Sequence, residues 1–458
     1  MGTLCYCCVD HLGLDDTKSE MTDTYRTPIL NLKAVVQETG VKPDTLRAWE
    51  RRHGLPAPGR SASGHRLYSQ RDVDVIKWLV ARQEEGLTIG RAVDLWRQLE
   101  ADGQQPLRDL ASGVSAPFAG ADSALGEMRR AWVSACLAFD EIKAKQVLTR
   151  AFALYPPEMV GLELLLNGIA DIGRGWYEGT VTVQQEHFAS TLAVRQIEAL
   201  LLSTPPSSRA GRILAACPSE EEHVLALLMF SYLMRRRGWD VLYLGASVPQ
   251  EQMQATVEAT RPRLVVLAAQ QLHTASNLSE MAQALQQMNV TVGFGGGIFD
   301  SLPTLRSHIP GHFLGATLEE GAFSAEGLMT TAQPTPALTA APRDHQAALR
   351  WHRDHRLTIE AEVWKWMRPS GIEHDTVLVA NEQFSRAMGA ALALGDIHYL
   401  DHLVAWLRGM GPGLHIADDV LTAYLTAYRR AAEAHWDERG ELIVRWLSAQ
   451  VDAGTLGE

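Results

Sequence analysis

The residue best placed to do chemistry is His223, in the run PSEEEHVLALLMF, where a short apolar strand-like segment gives way to an apolar helix. In an open α/β sheet that junction is the edge where ligands bind, and imidazole there is a competent metal donor. Three carboxylates precede it, Glu220, Glu221 and Glu222, and one of them can orient the second ring nitrogen. The same acids also suit the positive end of a helix dipole beside an incidental histidine, so the run alone does not decide. A second candidate is GFGGG at 293–297, where absent side chains admit a bulky group to the backbone or simply make a turn. A third is Trp176, followed after nine residues by Glu186-His187. A fourth is basic: Arg47, Arg51 and Arg52 lie in one short segment and have the type and spacing to donate paired hydrogen bonds to guanine.

The elements that must position these groups follow from periodicity. After TPPSSRAG, short apolar runs (RILAACP, DVLYLGA, RLVVLAA, VTVGFGGG) alternate with helical segments, which implies βαβ units and a parallel sheet over residues 209–325. Residues 123–204 carry helical periodicity throughout and form an all-helical bundle. A Pro/Ala/Thr-rich linker at 326–344 leads to a further helical region, 345–458, of no evident role. Residues 1–24 lack periodicity and read as a disordered leader. Residues 25–102 form a compact head, and the Gly/Pro/Ser/Ala-rich stretch 103–122 reads as a linker. In the C-terminal region, His398, His402, His415 and His435 with Trp364, Trp366, Tyr399, Trp406 and Trp436 either line a pocket or pack a core, and core is the plainer reading. The segment GAALALGDIHYLDHLVAWLRG shares its pattern with SACLAFDEIKAKQVLTRAFAL of the first bundle; a divergent second copy and a chance likeness of amphipathic helices both fit.

Length and charge sharpen this division. At 458 residues the chain is long enough for two to four domains. Hydrophobic residues at 46% and charged ones at 21% exclude wholesale disorder and a disulfide-framed miniprotein. No apolar stretch approaches the roughly 20 residues of a membrane span, and MGTLCYCCVDHLGLDD does not read as a signal peptide. Five cysteines, three of them clustered as Cys5, Cys7 and Cys8, argue against a disulfide set and for a reducing cytoplasm. A net charge of −12 speaks against nucleic acid until it is split by region. Residues 25–85 hold eleven Lys/Arg against seven Asp/Glu, a balance of +4, which leaves −16 on the rest.

Within that basic head, LNLKAVVQETGVKPDTLRAWERRHGL reads as helix, tight turn and second helix, with Gly40 stopping the first and Pro43-Asp44 starting the second. Thr45, Arg47, Arg51 and Arg52 then lie along the second helix. The following Gly/Ser loop carries Arg60, His65 and Arg66, and then Tyr68, as a small cationic wing suited to phosphate. The pattern V-x-x-x-T-L-R-x-W-E-R-R-x-G-L, with G-x-R-x-Y after it, resembles the MerR family of winged helix-turn-helix regulators over about residues 28–98. The resemblance implies double-stranded operator DNA bound by Arg47, Arg51 and Arg52, with Arg60, Arg66 and Tyr68 at the wing and backbone. Dimers of that family usually form through a long helix after the head. Here the linker begins near Gly103, so a homo-oligomer, dimer or tetramer, is expected from the regions downstream.

The downstream features resemble the cobalamin-binding fold, whose E/D-x-H-x-x-G motif supplies the lower ligand of cobalt. Here it reads Glu221-Glu222-His223-Val224-Leu225-Ala226, with Ala226 in place of the usual Gly. The usual Ser-x-Leu strand end has become LAAQQLH, so Ala268, Ala269 and Gln270 replace the hydroxyl. Preceded by GRGW, the W-x9-EH spacing resembles the cap of CarH-type photoreceptors, MerR-family repressors that use adenosylcobalamin. That resemblance implies a multidomain architecture: winged head, helical cap, Rossmann-like α/β cobalamin domain and additional helical tail. It also implies His223 as lower axial ligand and Trp176 as shield of the upper ligand. Tyr177, Glu186 and His187 would line the same space, with His187 a candidate upper-side ligand. Glu221, Glu222, Gly245, Gly295, Gly296 and Gly297 would complete the cofactor contacts. Tyr177 stands where light-sensing members with a bis-histidine photoproduct carry a His. The departures leave heme or a bilin open beside adenosylcobalamin or another cobalamin. A cobalamin enzyme is disfavoured, since the helical regions are too small to form a substrate barrel.

Overall fold

The computed structural model describes residues 30–31, 35, 41–55, 59–60, 66–84, 88–101, 124–331, 333–336, 338–409 and 418–455. The leader 1–24, the linker 103–122, Gly40, His65, His415 and the cysteine cluster lie outside the described residues. The chain forms two compact units, one within residues 13–120 and one that takes in 121–458.

In the smaller unit, helix α1 (Pro43–His53) follows β1 (Leu30–Asn31). Pro43 is pre-set for a first helical position, and Gly54 ends the helix at φ 70°, its N–H donating to the Glu50 carbonyl. Leu46 and Trp49 are buried, whereas Arg47, Arg51 and Arg52 are exposed, as helical spacing sorts them. The wing is β2 (Gly59–Arg60) and β3 (Arg66–Tyr68), antiparallel, with β1 on the other side of β3. Ser69 then caps α2 (Gln70–Glu84): its backbone N–H and hydroxyl both donate to Asp72. Helix α3 (Ile89–Ala101) closes the core, with Trp96 edge-on to Trp78 at 5.2 Å. Arg97 donates to the His53 carbonyl at 2.6 Å and so fastens α3 to the end of α1.

The larger unit begins with a helical bundle, α4 (Ala124–Leu137) and α5 (Glu141–Leu154), then a π-helical stretch Val160–Leu166 running into α6 (Asn167–Tyr177), then α7 (Val183–Leu202). The α/β layer follows as β4 (Arg212–Pro218), α8 (Leu225–Arg236), β5 (Asp240–Val248), α9 (Met253–Thr260), β6 (Leu264–Ala268), α10 (Leu272–Gln287), β7 (Thr291–Gly295), β8 (His312–Phe313) and α11 (Leu318–Thr330). Helix α11 runs past the expected boundary at 325, because its buried Leu328 and Met329 still pack on the sheet core. The five strands are parallel in the order β5-β4-β6-β7-β8. Strand order therefore reverses between β4 and β6, and the crevice beyond their carboxyl ends is where a doubly wound sheet holds ligands.

Helices α12 (Arg343–Met367), α13 (His374–Ala393), α14 (Tyr399–Gly409), α15 (Asp418–Ala434) and α16 (Glu441–Thr455) complete the unit. They are not an appendage: one hydrophobic core joins Leu214, Val265, Phe294 and α10 to Trp351, Met388, Tyr428 and Trp446. The helix-turn-helix at 390–401 matches the one at 134–143 in its closure. Asp140 N–H donates to Ala135 O and Asp396 N–H to Ala391 O, while Phe139 and Gly395 take positive φ at the corresponding position. The shared pattern thus specifies a shared helix cap. Tyr399 packs in the core as expected, but Trp366 and Trp436 are exposed, which corrects the reading of all the C-terminal aromatics as core.

His352 on α12 is 3% exposed, its Nε2 3.4 Å from the Tyr428 hydroxyl, with Arg353 and Arg356 on the same helix. Burial, reinforced by those two cations, lowers its pKa to about 4. The folded pKa lies below the unfolded one, so this group's stabilisation is fully present above pH 6.5 and is lost as pH falls from 6.5 towards 4. We expect denaturant melts to show about 3 kcal/mol lost through this window. The loss should be largely removed in His352→Leu; an unchanged slope would show that another group carries it.

Candidate functional site

The β4–α8 loop places the central group. Glu221 is fully buried and faces His223: its Oε1 accepts the His223 backbone N–H at 2.9 Å and lies 2.6 Å from His223 Nδ1. Its Oε2 accepts the Gln270 N–H at 2.7 Å and the Thr274 hydroxyl at 2.6 Å. Burial alone would raise this carboxyl, but the bonds from His223, Thr274 and Gln270 outweigh it and hold the group below its ordinary range. Glu221 is therefore the carboxylate that orients the imidazole, and with Nδ1–H given to it the lone pair of the neutral ring lies on Nε2. Glu222 is exposed and faces the cavity without sharing this role.

A cavity of about 900 Å³ opens in front of His223, within the range of cofactor sites. Its sheet-side wall includes Ala226, Gln270, Gly295, Gly296 and Gly297. Gly296 has φ 118°, and a Cβ there would stand 2.0 Å from the Ala269 carbonyl oxygen, so only glycine fits. The side chain of Gln270 accepts the Gly297 N–H at 2.8 Å and braces the loop. Gln270 thus takes a structural part at the strand end where the sequence has lost the usual hydroxyl. Gly245 is not on this wall; it relieves a register shift between β4 and β5 at φ 87°.

The opposite wall comes from the bundle. Thr182 and Gln185 form a capping box on α7, which fixes Glu186 and His187 in its first turns. Both line the cavity with Tyr177 and Ser190. Glu186 is 2% exposed; Oε1 accepts from the Ser190 hydroxyl, and Oε2 is buried with no hydrogen-bond partner. That oxygen lies 4.0 Å from His187 Nδ1, beyond a hydrogen bond, and a buried carboxylate oxygen without one is costly and suits a polar group brought by a ligand. Trp176 corrects the expectation placed on it: it is packed into the bundle core and is not among the side chains lining the cavity. Its ring lies 6.5 Å from Trp406 of α14, which does line it.

The donor set fits a tetrapyrrole. Among the described residues no three His, Cys, Asp or Glu gather to hold a bare metal ion. A macrocyclic metal brings its own equatorial nitrogens and asks the protein for one or two axial ligands. One carboxylate-backed imidazole on one wall, a buried carboxylate with one oxygen free of hydrogen bonds on the other and a glycine cradle meet that demand.

In the head, Thr45 is half-buried beside the exposed Arg47, Arg51 and Arg52 on α1. Arg60 lies on β2. Arg66 and Tyr68 have partners within the head. Arg66 Nε donates to Glu50 Oε2 at 2.7 Å, and this bond raises the already high guanidinium pKa, so Arg66 joins wing to helix. Tyr68 is 1% exposed within the head core, and burial pushes its hydroxyl pKa up. Sequence reasoning missed Thr274 and the brace made by Gln270, since both partners lie across the strand order from the His223 loop.

Comparison with known proteins now bears on this geometry. Residues 30–99 match the family model of MerR HTH family regulatory proteins, and two models described as B12 binding domains match residues 128–200 and 211–325. The chain is 33% identical over 264 residues to the HTH-type transcriptional repressor CarH of Myxococcus xanthus, covering 57% of this chain and 85% of that protein. It is 29% identical over 271 residues to the HTH-type transcriptional repressor CarA of the same organism, covering 58% and 86%. The matched models end at residue 325, so the C-terminal helices lie beyond them.

Proposed function

The chain belongs to the CarH-type branch of the MerR regulators, and on that premise we propose that it is a repressor whose operator binding is set by a cobalamin in the His223 cavity. The observation that carries this is the buried Glu221 holding His223 at the switch point of the sheet, opposite Glu186. A bound cobalamin would supply a cobalt able to take imidazole nitrogen. His223 would be the residue that holds it and Glu221 would fix the ring. The 295–297 cradle would admit the nucleotide tail, and Glu186 and His187 would meet the upper side. Two or more heads brought together bind DNA far more tightly than one, so a change of assembly suffices as the switch. The α1 arginines would read the operator, and the protein would act in the cytoplasm without turning over a substrate. The resemblance behind the premise includes light sensing. Tyr177 lines the cavity where a second histidine would be needed for a bis-histidine photoproduct, so any light response here would use His187 instead.

Light scattering coupled to size exclusion, with and without hydroxocobalamin and adenosylcobalamin in the dark, tests this. We expect the molar mass to change with at least one cobalamin, and the visible absorbance to travel with the protein. Unchanged mass with no bound cobalamin would overturn the reading, and a Soret band after growth with heme supply would replace it.

A further inference from the structure

The C-terminal helices reach into the cavity, and no matched family region accounts for them. Trp406 on α14 is buried, yet its ring belongs to the bundle's core rather than its own: it lies 6.5 Å from Trp176 and 6.2 Å from Tyr177. Leu403 and Leu407, one turn before it and one residue after, pack against the same bundle core. On α13, Gln383 and Arg386 also face the cavity, and Arg386 sits 3.8 Å from Glu220 on the loop that bears His223. The C-terminal region therefore touches both walls, the bundle through Trp406 and the histidine loop through Arg386.

A ligand held from the sheet side by His223 turns its other face towards Tyr177, Glu186 and His187. Trp406 lines the cavity on that bundle side, beside Tyr177. We propose that Trp406 is a specificity-determining residue: it limits the space over the far face of the ligand, so that the chain takes a cobalamin with a compact upper ligand in preference to one carrying a nucleoside. This rests on the cobalamin reading above. A small hydroxo or methyl group leaves the Trp406–Trp176–Tyr177 cluster intact. A nucleoside has to displace an indole buried among aromatic neighbours, and with it the packing of Leu403 and Leu407.

The test is equilibrium binding of hydroxocobalamin, methylcobalamin and adenosylcobalamin in the dark to the 458-residue chain and to its Trp406→Ala and Trp406→Phe variants. The readout is the ratio of affinities within each protein, which a general loss of folding does not move. In the wild type we expect hydroxocobalamin and methylcobalamin to bind at least tenfold more tightly than adenosylcobalamin. In Trp406→Ala the ratio should collapse towards one, with Trp406→Phe between. Equal affinities in the wild type, or a ratio unchanged by both substitutions, would overturn the proposal. Failure of all three cobalamins to bind the wild type would instead overturn the cobalamin reading on which it rests.

Discussion

Replacing Arg47, Arg51 and Arg52 together by Ala is expected to abolish specific operator binding, lowering affinity by roughly 100-fold or more, since each well-placed arginine-guanine pair is worth about 1–3 kcal/mol. All three are exposed on α1, while Leu46 and Trp49 hold the opposite side of the helix in the head core. The substitutions should therefore leave the fold intact, and Ala favours a helix. Fluorescence anisotropy on a site selected from a random pool by the wild-type protein measures the loss. The salt dependence separates two roles: arginines on phosphate reduce the slope by about 0.9 each, whereas arginines on base edges relax sequence preference. Arg66→Ala is expected to act differently, because Arg66 is bound to Glu50 and tethers the wing. Its loss should lower the melting temperature of the head and weaken all DNA sequences alike. If the triple variant bound the selected site as tightly as the wild type, α1 would not be the reading helix.

The second large effect concerns His223→Ala. Removing the imidazole takes away the one donor that a buried carboxylate orients towards the cavity, and the expected result is loss of the histidine-ligated visible spectrum, with cobalamin affinity reduced by roughly 100-fold. Glu221→Gln should reproduce part of this, about 10–100-fold. The substitution keeps the shape, but it breaks the charge-assisted contacts to Nδ1, the Gln270 N–H and the Thr274 hydroxyl, all made by a fully buried carboxylate. Glu222→Gln is the contrast: that side chain is exposed and should change affinity little. Equal effects of the two glutamine variants would remove Glu221 from its orienting role.

Much of this site was legible in the sequence, for identifiable reasons. The Glu-x-His spacing is local, so a strand followed by a helix puts carboxylate and imidazole on one loop whatever the rest does. The apolar runs of β4, β6 and β7 announced a sheet buried on both faces. The sequence did not show which carboxylate would turn inward, because that depends on Gln270 and Thr274, 49 and 53 residues from Glu221. The pairing of Arg66 was hidden for a similar reason: the wing pattern is the same whether or not the cation also meets a neighbouring Glu50. Trp176 kept its expected place on a helix but not its expected partner, since nothing local foretells that a helix from the far end of the chain will insert Trp406 beside it. The likeness between the two helix pairs was readable as pattern, but its common closure at Asp140 and Asp396 needed coordinates.

The central claim is that occupancy of the His223 cavity governs DNA binding, and operator affinity measured with and without hydroxocobalamin, in wild type and His223→Ala, tests it most directly. The account predicts that the cobalamin changes wild-type affinity by tenfold or more, in step with the change in assembly, and leaves His223→Ala insensitive at the same concentration. Wild-type affinity that stays the same at saturating cobalamin, or a His223→Ala variant that responds as the wild type does, would contradict it.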